Sequence, residues 1–447
     1  MSLVLKNSYP SVKKRLKLLK NLKFEILKNE AAICKALHND LRKSEYESKL
    51  TETKFIISEL NDTIKNLKDW AKPKRVARNL LTYPAKEYIY QQPYGRVLIF
   101  APWNYPFQLS IAPLIGAIAA GNSVVLKPSE YAPNTTAVIK DILKKVFDIR
   151  YVTVIEGDAL LAKELLKQQW DYIFYTGSTV VGKEVYLAAA KNLTPVTLEL
   201  GGKNPCIIDD TANLKKTAKR IIWGKFTNAG QTCIAPDFLV VNKTIKNELI
   251  KYLQYYLTKF YTETPEQSPD YGRIIHKKHF QRLITYLDNA HIISGGEYNE
   301  KDLYIAPTVI DNPPLQSAVM NDEIFGPILP IITYKYPSDL QDILKRYKNP
   351  LAFYVFSTNK EFSNHLIENY SFGGGCVNDV LIHIANNELP FGGIGASGIG
   401  KYHGKYSFDT FSHEKAIVKT GRFDNPFRYA PFKKKLRWLT ILYRIIG

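Results

Sequence analysis

The cysteine at position 233 has a setting that suits nucleophilic chemistry. Cys233 follows a Gly-Gln-Thr sequence, which predicts a turn with irregular backbone. Main-chain amides close to such a turn favour the thiolate, which is the reactive form of cysteine. Most free cysteines are instead small buried hydrophobic groups, and Cys34 and Cys206 fit that description. The local motif alone leaves both interpretations of Cys233 open.

The carboxylate of Glu199 has a setting that suits a general base. It lies at the predicted end of a strand, between two leucines and before Gly201 and Gly202. Partial removal from water raises the pKa of a carboxyl group toward the neutral range. The glycines would let the chain turn sharply and let a ligand approach closely. The alternative is a structural ion pair with a neighbouring lysine, but the Glu-Leu-Gly-Gly string favours the functional role.

The amide side chain of Asn104 follows another predicted strand, within the sequence Trp-Asn-Tyr-Pro. Ligands of open α/β folds bind at this carboxyl edge of the sheet. An amide N–H in that position can donate to a developing oxyanion. Asn104 could also form an Asx-turn before the next helix, and the two roles are compatible.

A glycine-bounded segment between a predicted strand and a predicted helix is a candidate for phosphate binding. Its residues are Gly177, Ser178, Thr179, Val180, Val181 and Gly182. Glycine permits close backbone approach, and a helix N-terminus can hold a phosphate. The signal is weaker than a P-loop because no Gly-Lys-Ser/Thr sequence follows. Lys127 and Glu130, three residues apart after an earlier strand, could hydrogen-bond the hydroxyls of an adenosine ribose.

The string from Gly393 to Gly398 matches the dinucleotide fingerprint G-x-G-x-x-G but occurs late in the chain. It does not open the first strand–helix–strand unit with a correctly placed acidic residue. We therefore interpret it as a flexible loop beside the active site.

The elements that must position these residues alternate in type. Apolar residues at three- and four-residue spacing predict helices from Ser11 to about Trp70. The strands predicted next are 96–101, 124–127, 151–155 and 172–175, with helices between them and a further helix at 183–191. This alternation predicts a doubly wound parallel sheet, which is a nucleotide-binding architecture. A second α/β series runs from Thr197 to about Asp379.

Two further segments alternate apolar and polar residues and predict the strands of a small arm. They are 86–91 and the stretch from after Phe408 to Lys419, and we expect them to pair with each other.

The composition limits the classes of partner. Lysine and arginine outnumber acidic residues 61 to 42, giving a formal net charge of +19 that attracts anions. A nucleic-acid surface gathers its basic residues on one face, whereas here they are scattered except at the two ends, so no nucleic-acid partner is expected. The four cysteines contain no CxxC pair, which argues against disulfides and structural zinc. No metal is expected, and a reducing compartment, the cytoplasm, is favoured.

The segments around Asn104, Glu199 and Cys233, in chain order and around a doubly wound region, resemble the aldehyde dehydrogenase superfamily. The strings Glu323-Ile-Phe-Gly-Pro327 and Leu389-Pro-Phe-Gly-Gly393 strengthen the resemblance, which extends from the first helix to Lys419. The strings 71–76, 231–237 and 402–405 resemble its class 3 group. Members of that group oxidise medium- and long-chain aliphatic or aromatic aldehydes, and they are typically homodimers.

The resemblance implies a role for each catalytic candidate. Cys233 attacks the aldehyde carbon, and Asn104 with the backbone N–H of Cys233 stabilises the oxyanion. Hydride transfer leaves a thioester, and Glu199 activates the water that hydrolyses it.

The resemblance also implies how the cofactor is held. Gly177 and Gly182 bracket the turn that faces it, and Lys127 and Glu130 hold the adenosine ribose. Glu323 and Phe325 hold the nicotinamide ribose and ring. NAD is favoured because Glu130 repels a 2′-phosphate, while Lys127 would attract one and leaves NADP open.

The implied domain division has three parts. Residues 1–81 and 96–198 form an NAD(P)-binding domain, and residues 199–407 form an α/β catalytic domain. Residues 82–95 and 408–447 supply an oligomerisation arm and a C-terminal tail.

The C-terminal tail, 427–446, is basic and then apolar and aromatic. It is too short to span a bilayer. It could lie in an anionic membrane interface as an amphipathic helix. We favour a terminal helix that packs on the partner subunit or over the substrate tunnel.

Two other functions compete with hydrolytic aldehyde oxidation. An acylating relative would pass the thioester to coenzyme A or phosphate, and retention of Glu199 argues for water instead. A non-catalytic basic binding protein, for example for RNA, would use the positive charge, and the intact set of Asn104, Glu199 and Cys233 argues against it.

Overall fold

The computed structural model describes residues 10–77, 82–422, 424 and 426–446. Parts of the predicted cofactor domain, 1–9 and 78–81, lie outside the described residues, as does residue 447. The strands are β1 (Lys74–Arg75), β2 (Lys86–Pro93), β3 (Arg96–Phe100), β4 (Ser123–Lys127), β5 (Val152–Val154), β6 (Tyr172–Thr176), β7 (Val196–Glu199), β8 (Pro205–Ile208), β9 (Phe238–Asn242), β10 (Ile292–Ser294), β11 (Tyr298–Asn299), β12 (Tyr304–Ile305), β13 (Thr308–Asp311), β14 (Ile328–Tyr334), β15 (Ala352–Phe356), β16 (Gly374–Val377), β17 (Gly398–Ile399) and β18 (Ser412–Lys419). The helices are α1 (Val12–Lys28), α2 (Glu30–Leu41), α3 (Glu45–Ser48), α4 (Lys54–Trp70), α5 (Gln108–Ala120), α6 (Pro133–Val146), α7 (Ala159–Leu166), α8 (Thr179–Ala190), α9 (Leu214–Phe226), α10 (Lys246–Tyr261), α11 (Lys277–Ile284), α12 (Ala318–Asn321), α13 (Pro337–Arg346), α14 (Lys360–Asn369), α15 (Gly404–Thr410) and α16 (Leu436–Ile446).

The helical N-terminal region is confirmed, with one irregular turn inside it. Ser11 caps α1 because its hydroxyl accepts a hydrogen bond from the Lys14 amide. Between α3 and α4 the chain forms a π-helical turn over Lys49–Thr53. That turn directs Glu52 into the interior, where the residue is fully buried.

The first sheet has the strand order β17-β7-β6-β3-β4-β5. The five strands β7, β6, β3, β4 and β5 run parallel to one another. The middle of β3, at Val97, Leu98 and Ile99, is fully buried, as expected for a parallel sheet covered on both faces. The sheet confirms the predicted doubly wound architecture.

The second sheet has the strand order β10-β13-β14-β9-β8-β15-β16. All of its pairs are parallel except the one between β10 and β13 at the edge. The chain crosses from the first sheet to the second between β7 and β8, close to the predicted boundary at residue 199.

The predicted arm is confirmed as a sheet of β1, β2 and β18. β18 runs antiparallel to β2, with Ser412 opposite Pro93 and Lys419 opposite Lys86.

The Gly393–Gly398 segment lies beside Glu199, as predicted, but a 3₁₀ turn over Gly395–Ser397 and a strand pair at Gly398 give it regular structure where the sequence predicted a flexible loop. Gly398 pairs with Glu199, which makes β17 the antiparallel edge strand of the first sheet. A Cβ atom on Gly398 would lie 2.5 Å from the Leu198 carbonyl oxygen, so only glycine allows this approach. α15 then packs on α5. The chain therefore returns to the first sheet by residue 398, within the range 199–407 that the sequence assigns to the catalytic domain.

Within the described ranges, no helix is both long and apolar enough to cross a bilayer.

Candidate active site

Two cavities meet at Cys233. The larger cavity has a volume of about 640 Å³ and the smaller about 270 Å³. The residues that line both are Leu109, Thr176, Glu199, Leu200 and Cys233. The two sequence-predicted groups with the clearest chemistry, the thiol and the carboxyl, therefore share the junction.

The loop that carries Cys233 is irregular, as predicted. Asn228, Ala229 and Gly230 follow one another with φ of 55°, 50° and 74°, in the left-handed region. A Cβ atom on Gly230 would lie 2.3 Å from the carbonyl oxygen of Gly326. Glycine is thus required at a point where two loops touch.

Side chains from β15 and from the residue just before β8 hold the backbone around Cys233. The Asn204 amide donates to the Cys233 carbonyl at 2.7 Å, and the Tyr354 hydroxyl donates to the Ile234 carbonyl at 2.6 Å. These bonds fix the orientation of the thiol relative to the strands.

The motif left two interpretations of Cys233 open, and the surroundings of the thiol in the free protein do not favour the thiolate. Burial raises the pKa of the Cys233 thiol to about 12, and the carboxyls of Glu323 and Glu199 add to the rise. Backbone amides of Cys233 and Ile234 donate to the sulfur and lower the pKa, but burial outweighs them. The interpretation of Cys34 and Cys206 as buried hydrophobic groups is confirmed, since both side chains are buried.

Glu199 ends β7, and its expected high pKa is confirmed. Neither carboxylate oxygen has a hydrogen-bond partner among the described residues, and burial raises the pKa well above its ordinary value. The alternative of an ion pair with a neighbouring lysine is wrong, because Lys203 pairs with Asp237 at 2.5 Å. Glu199 is therefore a buried carboxyl group without a structural partner.

The glycines after Glu199 both line the larger cavity, which agrees with the prediction that they let a ligand approach closely. They also make room for a protein side chain, because a Cβ atom on Gly201 would lie 2.0 Å from a carboxylate oxygen of Glu323, and the Gly202 amide donates to that carboxylate. Neither glycine has a left-handed φ. Burial and the nearby Asp237 raise the pKa of Glu323 to about 8.

The Asn104 side chain is buried in the wall of the larger cavity. Its amide nitrogen donates to the Gln231 carbonyl at 3.0 Å, two residues before Cys233. The amide is thus directed toward the Cys233 loop. Helix α5 begins at Gln108, four residues after Asn104.

A buried ion pair that the sequence did not suggest supports Asn104. Lys43 and Glu52 are fully buried and pair at 2.6 Å, and Lys43 also donates to the Asn104 carbonyl at 3.1 Å. The other Glu52 oxygen accepts the amides of Phe107 and Gln108 at 2.9 Å each. Lys43 and Glu52 lie in a region predicted as helical and rich in charged residues, so their types and spacing did not indicate that they are buried.

The glycine-bounded segment is partly at the site. Gly177, Ser178, Thr179 and Val180 line the larger cavity, whereas Val181 and Gly182 do not. The Ser178 side chain caps α8 by accepting the Val181 amide, so the helix begins at Thr179, four residues earlier than predicted.

The predicted role of Gly182 as the far edge of a turn is therefore wrong, because this residue lies in the first turn of α8. It packs against Leu200, where a Cβ atom on Gly182 would lie 2.6 Å from a leucine methyl carbon. Glycine at this position lets α8 pack closely against the Leu200 side chain.

Of the other predicted cofactor residues, Glu323 and Phe325 line the larger cavity, and Lys127 and Glu130 line neither cavity. Lys127, at the end of β4, pairs with Glu130 at 2.7 Å. Among the described residues, no group of three or more histidine, cysteine or acidic side chains is arranged to hold a metal ion.

The walls of the smaller cavity are almost entirely apolar. Its aromatic members are Phe55, Tyr105, Trp223, Phe391 and Tyr402, and its aliphatic members include Leu50, Leu381, Ile382 and Ile384. They come from distant parts of the chain, so the sequence did not reveal the cavity.

Comparison with known proteins accounts for this arrangement. Residues 8–417 match the aldehyde dehydrogenase family. The chain is 47% identical over 429 residues to a 4,4'-diaponeurosporen-aldehyde dehydrogenase of Staphylococcus aureus, covering 95% of this chain and 94% of that protein. It is 44% identical to a mouse dimeric NADP-preferring aldehyde dehydrogenase, covering 94% of each.

Comparison with solved structures points to the same family as comparison of the sequences. The substrate-bound structure of Staphylococcus aureus AldH superposes with a TM-score of 0.96 at 46% identity, covering 98% of this chain and 96% of that one. An NAD-dependent aldehyde dehydrogenase of Sinorhizobium meliloti superposes at 0.86 with 27% identity, covering 95% and 86%. The chain belongs to the aldehyde dehydrogenase family and is an NAD(P)-dependent aldehyde dehydrogenase.

Proposed function

We propose that this enzyme oxidises apolar aldehydes to carboxylic acids, with Cys233 as nucleophile, Glu199 as general base and Asn104 as oxyanion donor. One observation carries the proposal. The Cys233 thiol and a buried Glu199 carboxyl, which has no hydrogen-bond partner among the described residues, lie where a cavity of mixed polar and apolar lining meets an apolar cavity.

The larger cavity fits the nicotinamide and phosphate part of a nicotinamide dinucleotide, and the adenosine end would extend beyond it toward Lys127 and Glu130. Its volume is within the range of about 300–1,000 Å³ that is usual for cofactor sites. It extends from Cys233 to the start of α8, where Ser178 and Thr179 offer a helix N-terminus to a phosphate. Glu323 and Phe325 would hold the nicotinamide end, and Lys127 with Glu130 the adenosine ribose.

The first half-reaction forms a carbon–sulfur bond. The Cys233 thiol adds to the aldehyde carbon, and its proton must leave because the pKa is high in the free protein. The neighbouring Glu199 carboxylate can accept that proton. The Asn104 amide and the Cys233 backbone N–H stabilise the oxyanion of the thiohemiacetal. A bound nicotinamide dinucleotide supplies the hydride acceptor that allows the thiohemiacetal to become a thioester.

The second half-reaction releases the acid. Glu199 first releases to solvent the proton that it took from Cys233. It then takes a proton from the water that attacks the thioester carbon, and the Cys233 sulfur leaves and receives that proton. A buried carboxyl with raised pKa and no protein partner is suited to this base role. Transfer to coenzyme A, the acylating alternative, would not need that group.

The substrate class follows from the smaller cavity. Its aromatic and aliphatic walls favour medium- and long-chain aliphatic or aromatic aldehydes. A similar protein from Staphylococcus aureus is named for 4,4'-diaponeurosporen-aldehyde, which supports an extended apolar substrate.

An aldehyde panel tests this proposal. Acetaldehyde, octanal, hexadecanal and benzaldehyde are offered with NAD or NADP, with and without coenzyme A, and reduced cofactor and acyl products are quantified. We expect kcat/KM to rise with chain length and free acid to be the product in every case. Acyl-coenzyme A as the main product, or a preference for acetaldehyde, would refute the proposal.

For the cofactor we propose a preference for NAD. The Lys127 ammonium is paired with Glu130 at 2.7 Å, which leaves its charge partly neutralised toward a 2′-phosphate. A kcat/KM at least as high with NADP as with NAD in the same panel would contradict this preference.

We propose a homodimer that uses the arm and α8. On α8 and just after it, Leu187 and Leu193 are 68% and 90% exposed, and a partner subunit that packs there would bury both. A mouse relative is named as dimeric. Light scattering after size exclusion should give twice the 51.0 kDa chain mass, and Leu187→Glu should shift it toward the monomer. A monomeric wild-type enzyme would exclude the dimer.

We propose that the enzyme is located in the cytoplasm. We also propose that helix α16 packs on the partner subunit or over the mouth of the smaller cavity. Trp438 and Leu439 on this helix are exposed in the single chain, and the basic Lys433 and Lys435 precede them in the sequence. Peripheral contact with an anionic membrane is the competing proposal. Sedimentation of the full chain with phosphatidylserine vesicles would support the membrane contact, and recovery in the supernatant would support packing on protein.

We retain the domain division 1–81 and 96–198, 199–407, and 82–95 with 408–447 as a proposal, with one refinement. Because β17 pairs with β7, residues 398–407 are grouped with the cofactor domain.

A further inference from the structure

The segment Glu323–Phe325 lines the larger cavity without belonging to a helix or strand. Phe325 has a φ of 53°, a left-handed conformation that is unfavourable for an aromatic residue. A segment with this backbone keeps its shape only when surrounding groups hold it.

Two side chains of α11 hold three consecutive carbonyls of this segment. Arg282 donates to the Glu323 carbonyl at 3.1 Å and to the Ile324 carbonyl at 2.5 Å. The His279 Nε2 atom lies 2.8 Å from the Phe325 carbonyl.

The tautomer of His279 follows from its other nitrogen. Nδ1 lies 3.3 Å from an Arg282 guanidinium nitrogen, which can only donate. Nδ1 must therefore accept, and the ring proton is on Nε2 and donates to the Phe325 carbonyl. Burial and the adjacent Arg282 lower the pKa of His279 to about 3, so the ring stays neutral at neutral pH.

Aromatic packing links these hydrogen bonds to the segment that carries Asn104. The Trp103 ring lies 5.4 Å from the His279 ring and 5.3 Å from the Phe325 ring, edge to face with the latter. Trp103 directly precedes Asn104. The ring of His279 is thus held by hydrogen bonds and by ring packing, and the Phe325 ring packs against Trp103.

We propose that His279 and Arg282 are positioning residues for the cofactor, acting through the backbone of Glu323, Ile324 and Phe325. The hydrogen bond from His279 keeps the Phe325 ring turned into the cavity, and Arg282 keeps the Glu323 carboxyl in its place beside Gly201. This inference rests on the proposed role of Glu323 and Phe325 at the nicotinamide end.

The test compares His279→Leu, which removes the donor, with His279→Gln, whose amide can replace the Nε2 donor. Calorimetric titration with NAD measures Kd in the absence of aldehyde. We expect His279→Leu to weaken NAD binding about tenfold, the effect of one lost hydrogen bond to a buried carbonyl, and His279→Gln to stay within about threefold. The KM for NAD should rise in parallel, with a smaller change in kcat.

The matched control is His365→Leu, because His365 is exposed on α14, hydrogen-bonds Asn369 there and lines neither cavity at Cys233. Its Kd should equal that of the wild type. If His279→Leu does not fold, Arg282→Lys keeps the test open, since lysine reaches fewer carbonyls and should raise Kd several-fold.

Unchanged NAD binding in His279→Leu or in Arg282→Lys would overturn the proposal. So would a folded His279→Gln as weak as His279→Leu, because ring packing and not the donor would then matter. A wild-type chain that binds no NAD would refute the proposed cofactor site itself. A wild type that binds NAD, together with a variant that binds it equally well, would refute only the positioning role of His279 and Arg282.

Discussion

The two cavities that meet at Cys233 are built from different kinds of interaction. The larger one is shaped by hydrogen bonds from buried polar side chains to main-chain groups, as with Asn104 and Arg282. The smaller one is shaped by packed aromatic and aliphatic side chains, such as Trp223 and Phe391. Directional bonds can fix a polar cofactor in one pose, whereas apolar walls select a ligand by its surface and size.

The difference predicts that substitutions will separate into classes. Changes at the junction should abolish the reaction, and changes in the smaller cavity should alter the preference among aldehydes. Changes in the larger cavity should alter the affinity for the cofactor and the pKa of the Cys233 thiol.

The largest effect is expected for Cys233→Ala at the junction. Aldehyde-dependent NADH formation should fall by at least about 10⁴-fold, because loss of a covalent nucleophile removes the whole pathway. NAD binding should change little. Absorbance at 340 nm and calorimetry measure the two quantities.

The matched control is Cys206→Ala, because Cys206 is fully buried in β8 and lines neither cavity. It should retain activity while losing some stability to the small cavity it creates. Near-normal turnover in Cys233→Ala would refute the assignment of Cys233 as the nucleophile.

Glu199→Gln should give the next largest effect and should separate the two half-reactions. Thioester hydrolysis should slow by about 10²- to 10⁴-fold, the usual contribution of a general base. Stopped-flow mixing should then show one NADH per site formed in a burst, followed by a slow steady state. Glu164→Gln, an exposed change on α7, serves as control. A variant in which both phases slow equally would contradict the base role in hydrolysis.

Trp223→Ser changes only the smaller cavity and should alter the preference among aldehydes. Trp223 lines that cavity from α9 and is 37% exposed, so the fold should tolerate the change. The kcat/KM for hexadecanal should fall about tenfold through lost apolar contact, while that for acetaldehyde should stay the same. Tyr255→Ser, at an exposed aromatic outside both cavities, is the control. An equal loss for both aldehydes would show that the cavity does not hold the chain.

The smallest effect is expected for Glu323→Gln and depends on pH. Burial raises the pKa of Glu323 to about 8, so its carboxyl is charged mainly above that pH. The charge then raises the pKa of the Cys233 thiol, and its removal should lower that pKa and increase the thiolate fraction.

Alkylation of Cys233 by iodoacetamide without cofactor measures this effect. The rate should rise with pH in the wild type, since the pKa of the thiol is about 12. The variant should react several-fold faster at pH 9 and nearly equally at pH 7, where Glu323 is protonated in the wild type. A variant that reacts more slowly at pH 9 would contradict the coupling.

Much of this molecule follows from the sequence. Buried apolar strands that alternate with amphipathic helices require a parallel sheet with helices around it, and β3, β4 and β6 formed where the pattern placed them. The strings around Asn104, Glu199 and Cys233 also identified residues that the fold brings to one junction. These features depend on local patterns, which a sequence contains directly.

The tertiary structure decided what depends on distant neighbours. The pKa of the Cys233 thiol is set by burial and by two carboxyls far away in the chain, and these outweigh the local amides that the motif implied. Gly201 makes room for Glu323, and Lys43 supports Asn104, through contacts that no spacing reveals. The apolar cavity likewise arises from segments between Leu50 and Tyr402. Burial and electrostatics depend on the whole packed structure, so only the folded chain determines them.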